Sequence, residues 1–262
     1  MNTVLRVAVL PTLALLLAVL CIAEPVGATS LHDAVRSGDP SRVSEALQVA
    51  NDIDDTDFVL GSALHLTVVE QQPEMAEILI DGGADIDLVS EINGRTALLL
   101  ASELGDLEMV HVLLEHGADI QMRDNLGQTA RHLATRFGQE SVVKALLNAG
   151  ANIDIRDSGE GMTPLSISSL QGDVAITKLL VSNGADIEAR SASGHTPFSF
   201  ATSMESYVNV GGDELIRYFA DLGVDISPED NAGITPLEWA NSRNVPAYKE
   251  IAKILKDMGV ER

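Results

Sequence analysis

Beyond residue 28 the chain alternates short apolar runs with polar, glycine-bearing stretches, and the alternation holds a nearly fixed period. A Thr or Ser precedes the first apolar run of each unit, at Thr29, Ser62, Thr96, Thr129, Thr163, Thr196 and Thr235, with spacings of 33, 34, 33, 34, 33 and 39 residues. Such a hydroxyl accepts from the free N–H groups of a helix start. In Thr163-Pro164, Thr196-Pro197 and Thr235-Pro236 the proline falls at the first helical position, where its missing N–H costs nothing. Nine or ten residues later a second start follows, as in Gly38-Asp39-Pro40, Gln71-Gln72-Pro73, Gly105-Asp106-Leu107 and Gly172-Asp173-Val174. The second run carries apolar pairs four apart, Met109, Val110, Leu113 and Leu114 or Val142, Val143, Leu146 and Leu147, which form one stripe at helical period.

That run ends at a glycine, in Gly82–Ile86 (GGADI), His116–Ile120 (HGADI), Ala149–Ile153 (AGANI), Asn183–Ile187 (NGADI) and Leu222–Ile226 (LGVDI). Glycine reaches the left-handed conformation that stops a helix. A polar stretch with a further glycine, such as Asn93-Gly94-Arg95 or Ser193-Gly194-His195, then leads to the next hydroxyl and suits a tight projecting turn. Each unit therefore predicts turn, helix, turn, helix, and seven units predict an all-α solenoid. The Thr-Pro-Leu starts, the run Gly105–Ile120 (GDLEMVHVLLEHGADI) and the period of 33 resemble the ankyrin-repeat family, over Thr29 to about Val260. That resemblance implies a stack of helix-turn-helix repeats with projecting turns, and protein binding in general rather than one partner.

Composition changes the picture at the N-terminus. Met1–Arg6 carries one arginine, Leu13–Ala23 is uninterrupted and apolar, and Val26–Ala28 offers small residues for cleavage, the pattern of a signal peptide over residues 1–28. The mature repeat domain is then expected over 29–262, periplasmic or secreted, with cleavage after Ala23 as the nearest alternative. A membrane-anchored scaffold keeping this segment is the rival, although the apolar stretch from Val7 to Ala23 falls short of the ~20 residues a span needs. A lipoprotein route through Cys21 fits poorly, because a bulky Leu20 precedes it. Cys21 is the single cysteine, so a mature chain from Thr29 has no thiol and no disulfide. The absence of any Asn-x-Ser/Thr sequon favours a bacterial envelope.

Removing residues 1–28 takes away Arg6 and Glu24 and leaves the formal charge at −22. Nucleic acid and anionic lipid are poor partners for such a surface, and a protein with a basic or apolar patch is a better one. Membrane contact is expected only if the leader stays uncleaved, and a monomer is expected. Resemblance to periplasmic ankyrin proteins further implies envelope stress protection, alongside a catalase, or neutralisation of a secreted toxin.

Candidate chemistry is sparse. The six histidines all fall in the repeat register: His32, His65 and His132 three residues after an opening hydroxyl, His195 just before one, and His111 and His116 in a second run. Family resemblance assigns the first three to hydrogen bonds between turns and neighbouring repeats. His111 and His116 are five apart and share a helical face poorly as ligands. The acidic run Asp52–Asp57 suggests weak calcium binding, but the central Gly and closing Glu of an EF-hand are missing, so a solvated turn is expected. Trp239 takes a register held earlier by Leu66, Leu100, Leu133, Ile167 and Phe200, and reads as core filler. With no Gly-x-Ser-x-Gly, His-Glu-x-x-His, Gly-Lys phosphate loop or Cys-x-x-Cys, no enzyme activity and no cofactor are expected.

The family pattern places the end of each first helix on a concave binding side. There Val69, Leu104, Phe137, Leu170 and Met204 set one apolar side chain per unit, as a candidate protein-binding row. Unit six adds six residues around Ser203–Glu214, including Tyr207 as a further binding candidate, and an insertion in a solenoid maps to one face. A longer first helix with a slack loop is the alternative there. The ends read as caps, with Arg42 and Glu45 at one and Lys249, Lys253 and Lys256 at the other.

Overall fold

The computed structural model describes residues 30–57, 61–203 and 212–261. Among these residues the helices fall into seven consecutive pairs: α1 (Leu31–Arg36) with α2 (Pro40–Val49), α3 (Ala63–Val69) with α4 (Pro73–Asp81), α5 (Ala97–Leu104) with α6 (Leu107–Glu115), α7 (Ala130–Arg136) with α8 (Glu140–Asn148), α9 (Pro164–Gln171) with α10 (Val174–Ser182), α11 (Pro197–Ala201) with α12 (Gly212–Asp221), and α13 (Pro236–Asn241) with α14 (Pro246–Asp257). A two-residue antiparallel ribbon, β1 (Thr56–Asp57) with β2 (Gly61–Ser62), leads from the first pair to the second.

The hydroxyls that open each unit act as caps. Thr96 accepts from Leu99 N–H at 3.3 Å, Thr163 from Ser166 N–H at 3.2 Å and Thr235 from Glu238 N–H at 3.3 Å. Asp106 and Asp173 do the same for α6 and α10, accepting from Met109 N–H at 3.0 Å and Ile176 N–H at 2.9 Å. Two local expectations are corrected. In the first unit the cap is Ser30, which accepts from Asp33 N–H at 3.2 Å, one residue beyond the Thr29 opening. In unit six the first helix is not lengthened: α11 ends at Ala201 with Thr202 as its C-cap. That end falls before the added stretch, of which 204–211 lie outside the described residues.

First helices α1, α3, α5, α7, α9 and α11 pack on one another in succession, and second helices α2, α4, α6, α8 and α10 form a parallel layer. Between the layers runs one core from Leu31 to Val260. Its recurrent position, two after the cap, holds Leu64, Leu98, Leu165, Phe198 and Leu237, each at most 2% exposed. Burying such a side chain contributes about 1.5–3 kcal/mol, and one is supplied per unit, so the core grows by addition rather than around a centre.

Unit four breaks that series with Arg131, which is 1% exposed and donates through Nη2 to the carbonyls of Ala151 at 2.7 Å and Leu146 at 3.4 Å. Leu146 lies in the last turn of α8 and Ala151 just past its end, so the arginine braces the close of its own second helix from within the core. Its Nε and Nη1 are buried without a partner, and burial lowers its pKa from 12.5 to about 10 against the opposing pull of Asp154.

The turns tie the units edge to edge. Asn125 N–H donates to Asn93 O, Ser158 to Leu126 O, Ala192 to Glu160 O and Asn231 to Ser193 O, at 2.7 to 3.0 Å. Such close approach requires glycine at the tips: at Gly127, with φ 71°, an added Cβ falls 2.7 Å from Ser158 N. Arg123 adds a guanidinium tie to Gly127 O and Arg156 O, both at 2.8 Å, and Arg190 repeats it on Gly194 O and Glu229 O. A second ladder runs below. Asp85 N–H donates to Asp54 Oδ1, Asp119 to Asp87, Asp186 to Asp154 and Asp225 to Glu188, at 2.9 to 3.2 Å. Much of the acidic composition is thus scaffold. The cap residues Arg42, Glu45, Lys249, Lys253 and Lys256 are all exposed.

Candidate protein-binding surface

The row proposed from sequence falls at the ends of successive first helices. Val69 ends α3, Leu104 ends α5, Phe137 caps the end of α7 and Leu170 lies in the last turn of α9. All four are half-buried. Leu104 and Phe137 also lean on the core, so they serve packing as well as surface. Met204 and Tyr207 lie outside the described residues. Three more exposed apolar residues stand on the projecting turns: Leu126 is 65% exposed, Ile92 53% and Val89 42%. Sequence reasoning passed over them because it treated the turns as polar; a non-glycine apolar residue beside the turn glycine was the available signal.

Between the row and the turns lies a polar floor. In units three and four Arg95, just before the cap Thr96, pairs with Glu103 and places Nε 3.7 Å from Asp124 Oδ2, with side chains 15%, 10% and 2% exposed. Burial lowers the Arg95 pKa and Asp124 works against that shift. One register on, Gln128 with its amide oriented oxygen-first accepts from Arg136 Nη2 at 2.7 Å. The groove is filled there by the chain's own charges.

In unit six the described residues do not fill it. The residue before the cap is His195, whose Nε2 stops 3.8 Å short of Asp230 Oδ2. A cleft of about 190 Å³ opens beside them, lined by Leu170, Phe200, Ile234, Pro236 and Trp239. Trp239 is therefore half-exposed cleft wall as well as core packing, with Tyr248 edge-on at 5.3 Å and the Arg243 guanidinium 4.4 Å from its ring centre. Asp230 Oδ1 accepts from Ala232 N–H at 2.8 Å and Ile234 N–H at 2.9 Å. The Ile234 amide above all holds the Asp230 carboxyl below its usual range, with Ala232 and His195 adding to it against burial.

His32, His65 and His132 tie turns and neighbouring units together, as the family resemblance implies. His132 Nδ1 accepts from Thr129 N–H at 3.2 Å and sits 2.9 Å from its hydroxyl, while Nε2 reaches Met162 O at 3.2 Å in the next unit. His65 repeats this on Ser62 and on Arg95 O at 2.9 Å, and His32 reaches Gly61 O at 2.9 Å. Burial lowers the pKa of His65, and that of His132 to about 4. His116 turns its Nδ1 to Val112 O, and His111 is exposed on α6. Of the acidic run, Asp52 accepts from Asp54 N–H and Asp54 from Asp85 N–H. Among the described residues no three His, Cys, Asp or Glu side chains come together as metal ligands, and no helix is long and apolar enough to cross a membrane.

Comparison with known proteins places this architecture. A family model described as ankyrin repeats matches in three copies, over residues 31–124, 64–157 and 132–210. The solved ankyrin repeat domain of Bcl-3, a member of the IkappaB protein family, superposes with a TM-score of 0.74 at 27% identity, covering 88% of this chain and all of that one. NF-kappa-B inhibitor alpha of Homo sapiens is 31% identical over 168 residues, which are 63% of this chain and 44% of that protein. Palmitoyltransferase AKR1 of Lachancea kluyveri is 28% identical over 185 residues, 69% of this chain and 20% of that protein. The chain thus spans less than half the length of these two curated relatives. With the family model matching well over half of its length, and helix pairs, caps and turn ladders in the same register, the chain belongs to the ankyrin-repeat family.

Proposed function

We propose that this protein is a non-enzymatic binding scaffold that acts after export, in a periplasm or outside the cell, by holding a partner protein against the face made of its first-helix ends and projecting turns. The observation that carries the reading is the continuous row from Val69 through Leu104 and Phe137 to Leu170, with exposed Ile92 and Leu126 on the adjoining turns. A patch that spans several units can act as one site, and apolar surface of this kind marks contacts. The histidines best suited to acid–base work are engaged with backbone carbonyls, which favours scaffold over catalysis. The name NF-kappa-B inhibitor alpha denotes a protein that acts on another protein, in keeping with this reading. The leader pattern of residues 1–28 supports export.

The test is affinity capture by the full chain from an envelope extract, repeated with Phe137→Ala. An aromatic anchor contributes roughly 2 kcal/mol or more, so capture should weaken at least about thirtyfold, measured where the variant is fully folded. Equal capture by both proteins removes Phe137 and its row from the binding site. The captured protein also separates the two roles: a catalase-type enzyme would support stress protection, and a secreted toxin would support neutralisation. Mass of the mature chain tests export, since a recovered intact Met1–Arg262 chain contradicts cleavage.

A further inference from the structure

The cleft between units five, six and seven differs from its counterpart in units three and four at two side chains. In the earlier unit Arg95 spans from its own turn to Asp124 and Glu103. At the same register in unit six stands His195, the residue at the Glu103 register is Ser203, and the carboxylate is Asp230. Imidazole reaches only to 3.8 Å from Asp230 Oδ2, and Ser203 carries no charge to fill the rest. We infer that this cleft receives an arginine side chain from a basic segment of the partner protein, its guanidinium on Asp230 Oδ2 and its stem along Phe200 and Trp239. The inference rests on the reading that this face binds a protein, and adds the chemistry of one contact.

The parts fit that occupant. Asp230 gives Oδ1 to two backbone N–H groups, which fixes the carboxylate and leaves Oδ2 directed at the cleft. Its side chain is 13% exposed, so a charge-assisted bond there is shielded from water. The walls are apolar and aromatic, suited to a weakly hydrated guanidinium, and the Trp239 ring already has one, that of Arg243, at 4.4 Å from its centre. The cleft, at about 190 Å³, is below the roughly 300–1,000 Å³ of small-molecule sites and has room for one long side chain. A formal charge of −22 draws basic segments toward the chain.

Trp239 is the single tryptophan of the chain, so its fluorescence reads the cleft directly. Capped Gly-Gly-Arg-Gly-Gly, with its Leu and Glu counterparts, would be titrated into the full-length protein. A saturable change in Trp239 emission is expected with the arginine peptide, at an affinity at least about tenfold above the other two. Asp230→Asn keeps the oxygen that caps Ala232 and Ile234, so it should fold normally and lose that preference. His195→Arg should fill the slot as Arg95 does and abolish the signal without lowering the melting temperature. Equal response to the leucine peptide, or an arginine response that survives both substitutions, overturns the inference. So does a change in emission with protein concentration alone, which would put a second copy in the cleft. Silence of Trp239 alongside Phe137-dependent capture of a partner would sink this slot and leave the binding reading intact; loss of both would sink the two together.

Discussion

His132 joins two units through a single ring: Nδ1 accepts at the cap of its own helix and Nε2 reaches across to Met162 O. His132→Ala removes both contacts and leaves buried polar groups behind, so unfolding should cost about 1–3 kcal/mol less, with partner capture intact in the folded fraction. Unchanged stability with lost capture would contradict the structural role. The same burial sets a pH dependence. The ring must stay neutral in the fold, with its pKa lowered from 6.5 to about 4, so the unfolded chain binds the extra proton first. The stability His132 contributes is fully present above pH ~6.5 and falls as the pH drops from there toward ~4, by on the order of 3 kcal/mol. Urea titrations between pH 7 and pH 4 should show this loss in the native protein and a smaller one in His132→Ala. Arg131 makes the opposite case. It occupies a register that other units give to leucine or phenylalanine, with two buried nitrogens unpartnered, so Arg131→Leu should leave stability equal or raise it by about 1 kcal/mol or more, whereas Arg131→Ala should lower it. Paired melting curves decide it.

Helices and turns were legible to different degrees, for a physical reason. Caps and stops are local chemistry, so Thr96, Asp106 and Gly105 announce their helix ends from sequence alone. What sits across from a residue depends on the neighbouring unit, which no single repeat encodes. The Arg123 and Arg190 ties, the aspartate ladder and the cleft at His195 and Asp230 became visible only once the units were stacked. Likewise, the period gave Thr29 as the first opening while the helix took Ser30 as its cap, since either hydroxyl can accept there. The two kinds of glycine can be told apart by experiment. Gly117 has φ 88° and open space where a Cβ would lie, so Gly117→Ala should cost only the left-handed penalty of about 1–2 kcal/mol. Gly127→Ala meets the Ser158 backbone as well and should cost more, by chemical denaturation. Equal losses would contradict the contact between neighbouring turns.

Taken together, the units form a one-dimensional stack whose acidic side chains recur along its length. A formal −22 makes the folded chain repel itself, so the melting temperature should rise when salt is added from a few millimolar to about 0.15 M, as screening shortens the reach of those charges. A flat response would mean that the backbone ladders already neutralise the aspartates. The stack has two layers of helices, and only one of them ends in the apolar row and the projecting turns. A partner protein held by the scaffold would sit on that side. Hydrogen exchange of the captured complex against the free chain tests it most directly. Slowed exchange is expected at residues 69–72, 103–106, 136–139 and 170–173 and in the adjoining turns, with α4, α6, α8 and α10 unchanged. Protection confined to those four outer helices, with the first-helix ends unaffected, would contradict it.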